Sequence, residues 1–532
     1  MKAKLRAVFA TTLVAMFSIA SLVIAQSNQG LDGARAPSLA GIAMSQANPS
    51  RQDCEARRND TAEKLLECMQ AADLWSHLSD FQKISDQNPG PDGHGNRDTG
   101  TKGYLASVQY LAALMRKAGY RVTIQLYPYT TSEVVGVPQF QTSAQSYATT
   151  RDWFVARLSG GGTLTATVQT VGGSGSGCST EDFAGFASGH VALLQSGACT
   201  YDLQVENAAD DGAVAVILYN GKGAEQGGEG VSPGARNGGG AFQARLTRAA
   251  KIPVVGVASY AVGSDLERQC ASGHAPVVHL DIRTQQKAGT DYNLIAESSF
   301  GDPNKIVVVE AHLDSIFGAG MLDNASGSTT ALEIALNMAK TPTRNRLRYV
   351  WFGGEEIGLL GSDYYTKHLS SAELRRIVFD LDIDVTATPN FDYLVADPAF
   401  ASNVRHFPKN VVPGSKVGNQ FLRDFFKTSG VPSRSASFGN DGTDSNSFSL
   451  VGIPNTGILT QQDCCKSAGE VKIWGGVRGN YEGKIPSFDG GCVDNPGLWC
   501  DNLSNNDPAV FALASKAAAY VALQLSNFPF LK

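Results

Sequence analysis

One histidine and two aspartates lie close together near the middle of the chain, directly after an apolar run. Asp314 follows His312 by two residues, and Asp323 follows it by eleven. Imidazole nitrogen and carboxylate oxygen are donors that zinc accepts, and a catalytic site keeps one position open for water. These residue types at this spacing predict a metal site, and a metal site of this composition indicates an enzyme.

Acidic residues also follow the next two apolar runs. Glu355 and Glu356 come directly after residues 349–354, and Asp384 comes directly after residues 377–383. One histidine with several carboxylates is too anionic for a single closed zinc site, but it suits two metals that share a bridging carboxylate. Of the two adjacent glutamates, one can bind metal while the other accepts a proton from the attacking water.

Alternating strands and helices are predicted to carry these residues. The apolar patterns predict strands at 306–309, 347–352 and 377–383, with helices at 329–339 and 372–376. This alternation is typical of an α/β fold with a mostly parallel central sheet flanked by helices. Ligands of such sheets bind beyond the carboxyl ends of the strands, which is where the candidate residues fall.

The first half of the chain divides into segments of different composition. Residues 52–134 look helical and end in a strand, and they are predicted to belong to the same domain as residues 286–532. Residues 135–285 are rich in glycine and serine with short β-like runs, which predicts a β-rich insert. The order Cys178, strand, Cys199, helix, strand resembles a protease-associated (PA) domain. Such inserts have no catalytic residues and cover an active site or contact substrate; a generic packing insert is the alternative.

The amino terminus predicts export from the cell. Lys2, Lys4 and Arg6 precede a long apolar run that ends in small residues, which is typical of a secretory signal peptide over residues 1–25. An uncleaved membrane anchor is the alternative. Residues 26–51 are rich in serine, glutamine, alanine and glycine, so we expect a leader or propeptide there.

Composition and cysteine content agree with an exported enzyme. The 532 residues exceed one ordinary domain, and the net charge of -6 gives no reason to expect nucleic-acid binding. Nine cysteines suit an oxidising compartment. The expected disulfides are Cys54–Cys68, Cys178–Cys199 and Cys492–Cys500, with Cys270 as the free thiol and the partners of Cys464 and Cys465 left open.

Taken together, the acidic motifs resemble those of the M28 family of co-catalytic zinc peptidases. The blocks that carry the resemblance are Ala311–Ser315, Asp323–Gly327, Gly354–Ser362 and Leu381–Asp384. It extends over roughly residues 75–130 and 285–525, and the family's secreted aminopeptidases often carry a PA insert. The resemblance implies a secreted or periplasmic aminopeptidase that acts on peptide or protein N-termini, with two Zn²⁺ and no membrane partner after signal cleavage. It leaves the oligomeric state open.

The resemblance also implies a role for each candidate residue. His312 and Asp384 would bind one zinc, Glu356 the other, and Asp323 would bridge them, while Glu355 would be the general base and Asp314 would orient His312. Exopeptidase action follows from the resemblance alone.

At the fifth metal ligand the chain departs from the family. Members supply a second histidine late in the chain within a Cys-Tyr-His segment, whereas the last histidine here is His406. Alignment on Cys492 puts Val493 at the tyrosine and Asp494 at the histidine, so Asp494 is the expected ligand. Such a carboxylate makes the second site harder and admits Mn²⁺ as an alternative to zinc. The other open donors are Asp444, Asp489 and Asp501.

Two other functions compete with aminopeptidase activity. A carboxypeptidase or dipeptidase of the same fold would need an arginine for the substrate carboxylate, which the sequence does not identify. A non-catalytic peptide-binding protein on a degenerate peptidase scaffold is favoured by the missing histidine. Retention of the expected base and of four metal ligands favours the enzyme.

Overall fold

The computed structural model of the chain describes most residues from Pro49 onwards. The described ranges are 49–90, 93–172, 175–197, 199–222, 239–244, 246, 248–316, 318–401, 408–436, 443–461, 464–481 and 501–530. The predicted signal peptide, Asp489, Asp494 and the predicted Cys492–Cys500 disulfide lie outside these ranges.

Four helices and a long strand come first. Their bounds are α1 Arg51–Ala56, α2 Ala62–Cys68, α3 Ala71–Asp86, α4 Lys102–Lys117 and β1 Arg121–Val134. The apolar residues that recur along α4 at helical spacing are buried, among them Tyr104, Val108 and Leu111. Gly119 follows α4 with a φ of 92°, a conformation that glycine adopts without strain, and so turns the chain into β1.

A separate seven-stranded sheet follows, in the region predicted as β-rich. Its strands are β2 Gln139–Thr142, β3 Ser146–Tyr147, β4 Gly162–Thr170, β5 Val191–Gln195, β6 Ala215–Tyr219, β7 Val254–Ala258 and β8 Val277–Ile282. The helices are α5 Tyr201–Asp210 and α6 Tyr260–Ala271. The spatial order is β3-β2-β8-β4-β5-β6-β7. Two apolar clusters, one around Trp153 and one around Phe242, give this insert a core of its own.

The main sheet contains β1 and seven further strands, which are β9 Thr284–Glu297, β10 Asp302–His312, β11 Asn345–Phe352, β12 Ile377–Ile383, β13 Leu394–Ala396, β14 Arg434–Ala436 and β15 Asn455–Leu459. Their spatial order is β1-β9-β11-β10-β12-β15-β13-β14. A small hairpin adds β16 Cys464–Lys466 and β17 Gly479–Asn480. Strands β11, β10, β12 and β15 run parallel, which confirms the predicted sheet. The sheet is mixed at its sides, since β9 is antiparallel to β11 and β13 is antiparallel to β15.

Helices cover both faces of the main sheet. The remaining helices of the chain are α7 Ser326–Met338, α8 Leu360–His368, α9 Ser371–Leu374, α10 Pro398–Ala401, α11 Val412–Thr428, α12 Ser445–Leu450, α13 Ala468–Trp474 and α14 Pro508–Asn527. Residues 306–312 of β10 are all buried, as expected for a central strand with helices on both faces. Helix α14 is long and apolar enough to cross a membrane, but 72% of its apolar window is buried inside the protein, as in a core helix.

Strands β1 and β9 connect the insert to the main sheet. They pair antiparallel along their whole length, from Arg121 opposite Glu297 to Val134 opposite Thr284. The insert begins where β1 ends and finishes where β9 begins. The chain segments before and after the insert are therefore joined in one sheet although the insert separates them in sequence.

The predicted cysteine pattern agrees with the structure where the chain is described. Cys54 is bonded to Cys68 and Cys178 to Cys199. Cys270 is a free, half-buried thiol, as expected. The first disulfide joins α1 to α2, and the second lies in the insert.

Removal of the Cys54–Cys68 disulfide is expected to destabilise the packing of α1 and α2. The cysteines are separated by 14 residues, and closing a loop of this size stabilises a fold by about 3 kcal/mol through restriction of the unfolded chain. The C54A/C68A variant should therefore denature at a lower temperature in scanning calorimetry. Cys270→Ala, which removes a thiol without a disulfide, should have a smaller effect. Equal midpoints for the double variant and the parent chain would contradict the expectation.

Candidate metal centre

Three neighbouring strands deliver the candidate residues to one edge of the main sheet. Strand β10 ends at His312, β11 ends three residues before Glu355, and β12 ends directly before Asp384. Strand β10 lies between the other two and is parallel to both. The carboxyl ends of the three strands therefore lie side by side, and the residues that follow them meet.

The first group of donor atoms surrounds the outer nitrogen of His312. Its Nε2 atom lies 2.8 Å from Asp323 Oδ1 and 3.3 Å from Asp384 Oδ1. One donor atom from each of the three residues lies within 4.8 Å of the other two. One imidazole and two carboxylates converging in this way match the ligand types of a divalent metal site.

A second group shares the same histidine. His312, Glu355 and Glu356 also offer donor atoms within 4.8 Å of one another. The predicted base thus lies within the cluster, beside the predicted ligand Glu356. Asp323 and Glu356 occur in different groups, and His312 belongs to both groups.

Burial and charge make this centre suitable for cations. The exposed fractions of His312, Asp323, Glu355, Glu356 and Asp384 lie between 1% and 7%. Burial alone would lower the pKa of His312, but the carboxylates of Glu355 and Asp384 raise this pKa well above its usual value. Buried carboxylates are costly unless they are paired or coordinate a metal. The residues present therefore fit divalent ions.

Asp314 connects the histidine to the glutamate pair. The Nδ1 atom of His312 lies 3.1 Å from the main-chain carbonyl oxygen of Asp314 and 3.6 Å from its Oδ1. The carbonyl rather than the predicted carboxylate is thus the nearer acceptor. The carboxylate instead accepts the main-chain N–H groups of Glu355 and Glu356, each at 3.3 Å. Asp314 therefore contacts His312, which belongs to both groups of donor atoms, and holds the main chain of Glu355 and Glu356.

Asn324 attaches the Asp323 turn to the end of β12. Its side-chain amide donates to the Ile383 carbonyl at 3.0 Å, and its Oδ1 accepts the Val385 N–H at 3.1 Å and the Gly327 N–H at 2.8 Å. The peptide bond between Asp323 and Asn324 is cis. The Asn324 hydrogen bonds to Ile383 and Val385 hold the turn that carries Asp323 against the end of the strand that precedes Asp384.

Asp501 supports the same turn from the other end of the chain. Its Oδ1 accepts the Leu322 N–H at 2.6 Å and its Oδ2 accepts the Asp323 N–H at 2.9 Å. Both oxygens of this alternative ligand are thus engaged by the main chain. Asp444, a second alternative, is buried but belongs to neither donor group within the described residues. Burial and the nearby Glu355 carboxylate raise the pKa of Asp444 well above its usual range.

Arg97 is a functional support that sequence reasoning missed. Its guanidinium is fully buried and donates to the carbonyls of Leu313, Ala319 and Gly320, each at 2.7 Å. It therefore fixes the loop between His312 and Asp323. The only sequence signal for a supporting role of Arg97 was its position between Gly95 and Gly100. Its partners are main-chain atoms more than two hundred residues away, so no sequence pattern indicates them.

Comparisons with known proteins agree with this architecture. Residues 293–478 match the model of peptidase family M28, and residues 162–266 match the PA domain. The chain is 31% identical over 477 residues to an aminopeptidase of Pseudomonas aeruginosa, covering 87% of this chain and 82% of that protein.

Solved structures share the fold. The aminopeptidase from Aneurinibacillus sp. strain AM-1 aligns with a TM-score of 0.63 and 21% identity, over 88% of this chain and 96% of that one. A zinc aminopeptidase from Bacillus subtilis aligns with a TM-score of 0.57 and 22% identity, over 86% of this chain and 96% of that one.

Replacement of Arg97 by lysine is expected to destabilise the His312–Asp323 loop. A lysine ammonium cannot reproduce the three planar contacts, and each buried carbonyl left without a donor costs about 1–3 kcal/mol. Arg97→Lys should lower the free energy of unfolding by several kcal/mol in denaturant titrations of the metal-free protein. The same change at Arg116, which is exposed on α4, should have little effect. Similar stabilities for both variants would show that the buried contacts are not needed.

Proposed function

Because the chain belongs to peptidase family M28 and is a metallo-aminopeptidase, we propose that it releases N-terminal residues from peptides at the His312 centre. In this proposal His312 and Asp384 would hold one divalent ion, Glu356 would hold a second, and Asp323 would bridge the two. The observation that carries the proposal is the buried convergence of one imidazole and four carboxylates in two donor groups that share His312.

The reaction needs an activated water and a route for its proton. When bound, the two ions would polarise the scissile carbonyl and lower the pKa of the attacking water. Glu355 accepts the proton from that water and returns it to the leaving amine. Asp314 holds the main chain of Glu355 through the 3.3 Å contact to its N–H group, and so keeps the base beside the ligands.

An amino terminus rather than a carboxyl terminus is proposed as the group recognised, because the chain belongs to peptidase family M28 and is similar to aminopeptidases. Two bound divalent ions would offset the charge of the four carboxylates, so these carboxylates are assigned to the ions and not to a substrate ammonium. The Arg97 guanidinium donates to three main-chain carbonyls of the His312–Asp323 loop, so it is not directed at a substrate. A carboxypeptidase would need such a group directed at the substrate.

The second ion is proposed to have an oxygen-rich ligand set. Asp494, outside the described residues, is the proposed fifth ligand, with Asp489 as an alternative in the same stretch. The engagement of both Asp501 oxygens by main-chain N–H groups supports this choice over Asp501. Since carboxylates suit manganese as well as zinc, we propose zinc at the first site and zinc or manganese at the second.

The enzyme is proposed to act outside the cytoplasm, either in the periplasm or in the medium. The predicted signal peptide over residues 1–25 and the two disulfides support an oxidising compartment. Residues 135–285 are proposed as the PA insert, with the peptidase portion formed by residues 52–134 and 286–532. Arg157 and Leu158 of the insert border a cleft against Tyr364 of α8, which supports a role of the insert in substrate access.

Hydrolysis of aminoacyl substrates by the purified mature chain tests the function. We expect hydrolysis of aminoacyl p-nitroanilides and of short peptides, abolished by chelation and restored by added zinc or manganese. Peptides with an acetylated amino terminus should resist hydrolysis, because an aminopeptidase acts on a free amino terminus. Cleavage of acetylated peptides from the carboxyl end would favour the carboxypeptidase alternative. No metal uptake and no hydrolysis would favour the non-catalytic binding protein.

The roles of the adjacent glutamates are separable by paired amide substitutions. Glu355→Gln should lower kcat by about 10²–10⁴-fold, the usual contribution of a general base, while the bound metal content stays that of the parent chain. Glu356→Gln should instead reduce the metal content measured by mass spectrometry after dialysis. The assignment would be reversed if Glu355→Gln lost metal and Glu356→Gln kept it.

A further inference from the structure

A threonine hydroxyl contacts the carboxylate that connects the two donor groups. Thr99 Oγ1 donates to Asp314 Oδ2 at 2.8 Å. The same oxygen accepts the Glu356 N–H, and the other oxygen accepts the Glu355 N–H. The orientation of the Asp314 carboxylate, and with it the position of both glutamates, is therefore coupled to the Thr99 hydroxyl.

The segment that carries Thr99 is itself held firmly against the centre. Asp98 accepts the Ser315 hydroxyl at 2.8 Å, and the Gly100 N–H donates to the buried Asp291 carboxylate at 2.6 Å. The N–H of Arg97, the residue before Asp98, donates to the Gly318 carbonyl at 3.1 Å. The main chain on both sides of Thr99 is therefore held in place. The Thr99 hydroxyl is thus in a fixed position from which it orients the Asp314 carboxylate.

We propose that Thr99 is a positioning residue for the reaction, acting through the Asp314 carboxylate on the main chain of Glu355 and Glu356. The inference rests on the proposed function in its assignment of Glu355 as the base. The hydroxyl supplies a charge-assisted hydrogen bond, and bonds of this kind are stronger than neutral ones. Without it, Asp314 is free to turn away from the two N–H groups, and the base loses its alignment.

Substitution of Thr99 by valine removes the hydroxyl and keeps the shape of the side chain. Thr99→Val is expected to weaken zinc binding to the metal-free protein about tenfold, within the range typical for lost outer-shell contacts. With zinc in excess, kcat should fall about tenfold at an unchanged KM, because alignment of the base rather than substrate binding is affected. Thr99→Ser, which restores the hydroxyl, should return both values to within about twofold of the parent chain.

Thr101 provides the matched control in the same segment. Its hydroxyl accepts the Tyr104 N–H at the start of α4 and donates to the Asp98 carbonyl, so Thr101→Val loosens the same segment without removing the hydroxyl that contacts Asp314. Thr101→Val should lower the thermal midpoint, since loss of an N-cap costs about 1 kcal/mol, while zinc affinity and kcat stay at parental values.

Three outcomes would overturn the inference. They are parental zinc affinity and kcat in Thr99→Val, failure of Thr99→Ser to restore them, and an equal loss in Thr101→Val, which would indicate a general effect of stability. If the parent chain hydrolysed no substrate with any metal, the proposed function would fail by itself. The zinc titration of the same variants would still decide the role of Thr99.

Discussion

Four carboxylates and one imidazole meet at the ends of three parallel strands with almost no exposure to water, and the rest of the structure accommodates this concentration of charge. Their exposed fractions stay at or below 7%. A buried carboxylate without a counter-ion carries a desolvation cost of several kcal/mol. The arrangement is therefore stable as a binding site for cations, and it needs a surrounding framework that prevents the carboxylates from moving apart.

Hydrogen bonds between side chains and main-chain atoms make up most of that framework. The loop that leaves β10 is held by the Arg97 guanidinium through three carbonyls, and the turn that carries Asp323 is held by Asp501 through two N–H groups. Asn324 ties the same turn to the end of β12. These contacts act on the backbone and leave the ligand side chains directed at the centre. A second layer of this kind sets the orientation of metal ligands in proteins generally.

The insert is compatible with this framework because it does not interrupt the main sheet. Strands β1 and β9 pair from end to end, so the chain leaves and re-enters at one place. The insert has its own apolar clusters on its own sheet. The peptidase portion thus keeps its hydrogen-bonded sheet intact, while the insert borders the helix that follows the glutamate pair.

The sequence by itself determined the candidate residues and the scaffold that carries them. Apolar runs that end in His312, in Glu355 and Glu356, and in Asp384 predict parallel strands, and the parallel strands are confirmed. The pairs Cys54–Cys68 and Cys178–Cys199 were also predictable, because cysteines that are near each other in sequence can pair by closing only a short loop.

Only the tertiary structure decided which groups hold the centre in place. Arg97, Thr99 and Asp501 lie far in sequence from the residues they support, and two of them act through main-chain atoms that every residue has. No spacing rule or residue type marks such partners, since a main-chain carbonyl or N–H carries no sequence signature. The chemistry of the site is therefore readable from side chains along the chain, whereas its alignment depends on backbone contacts that exist only in the folded protein.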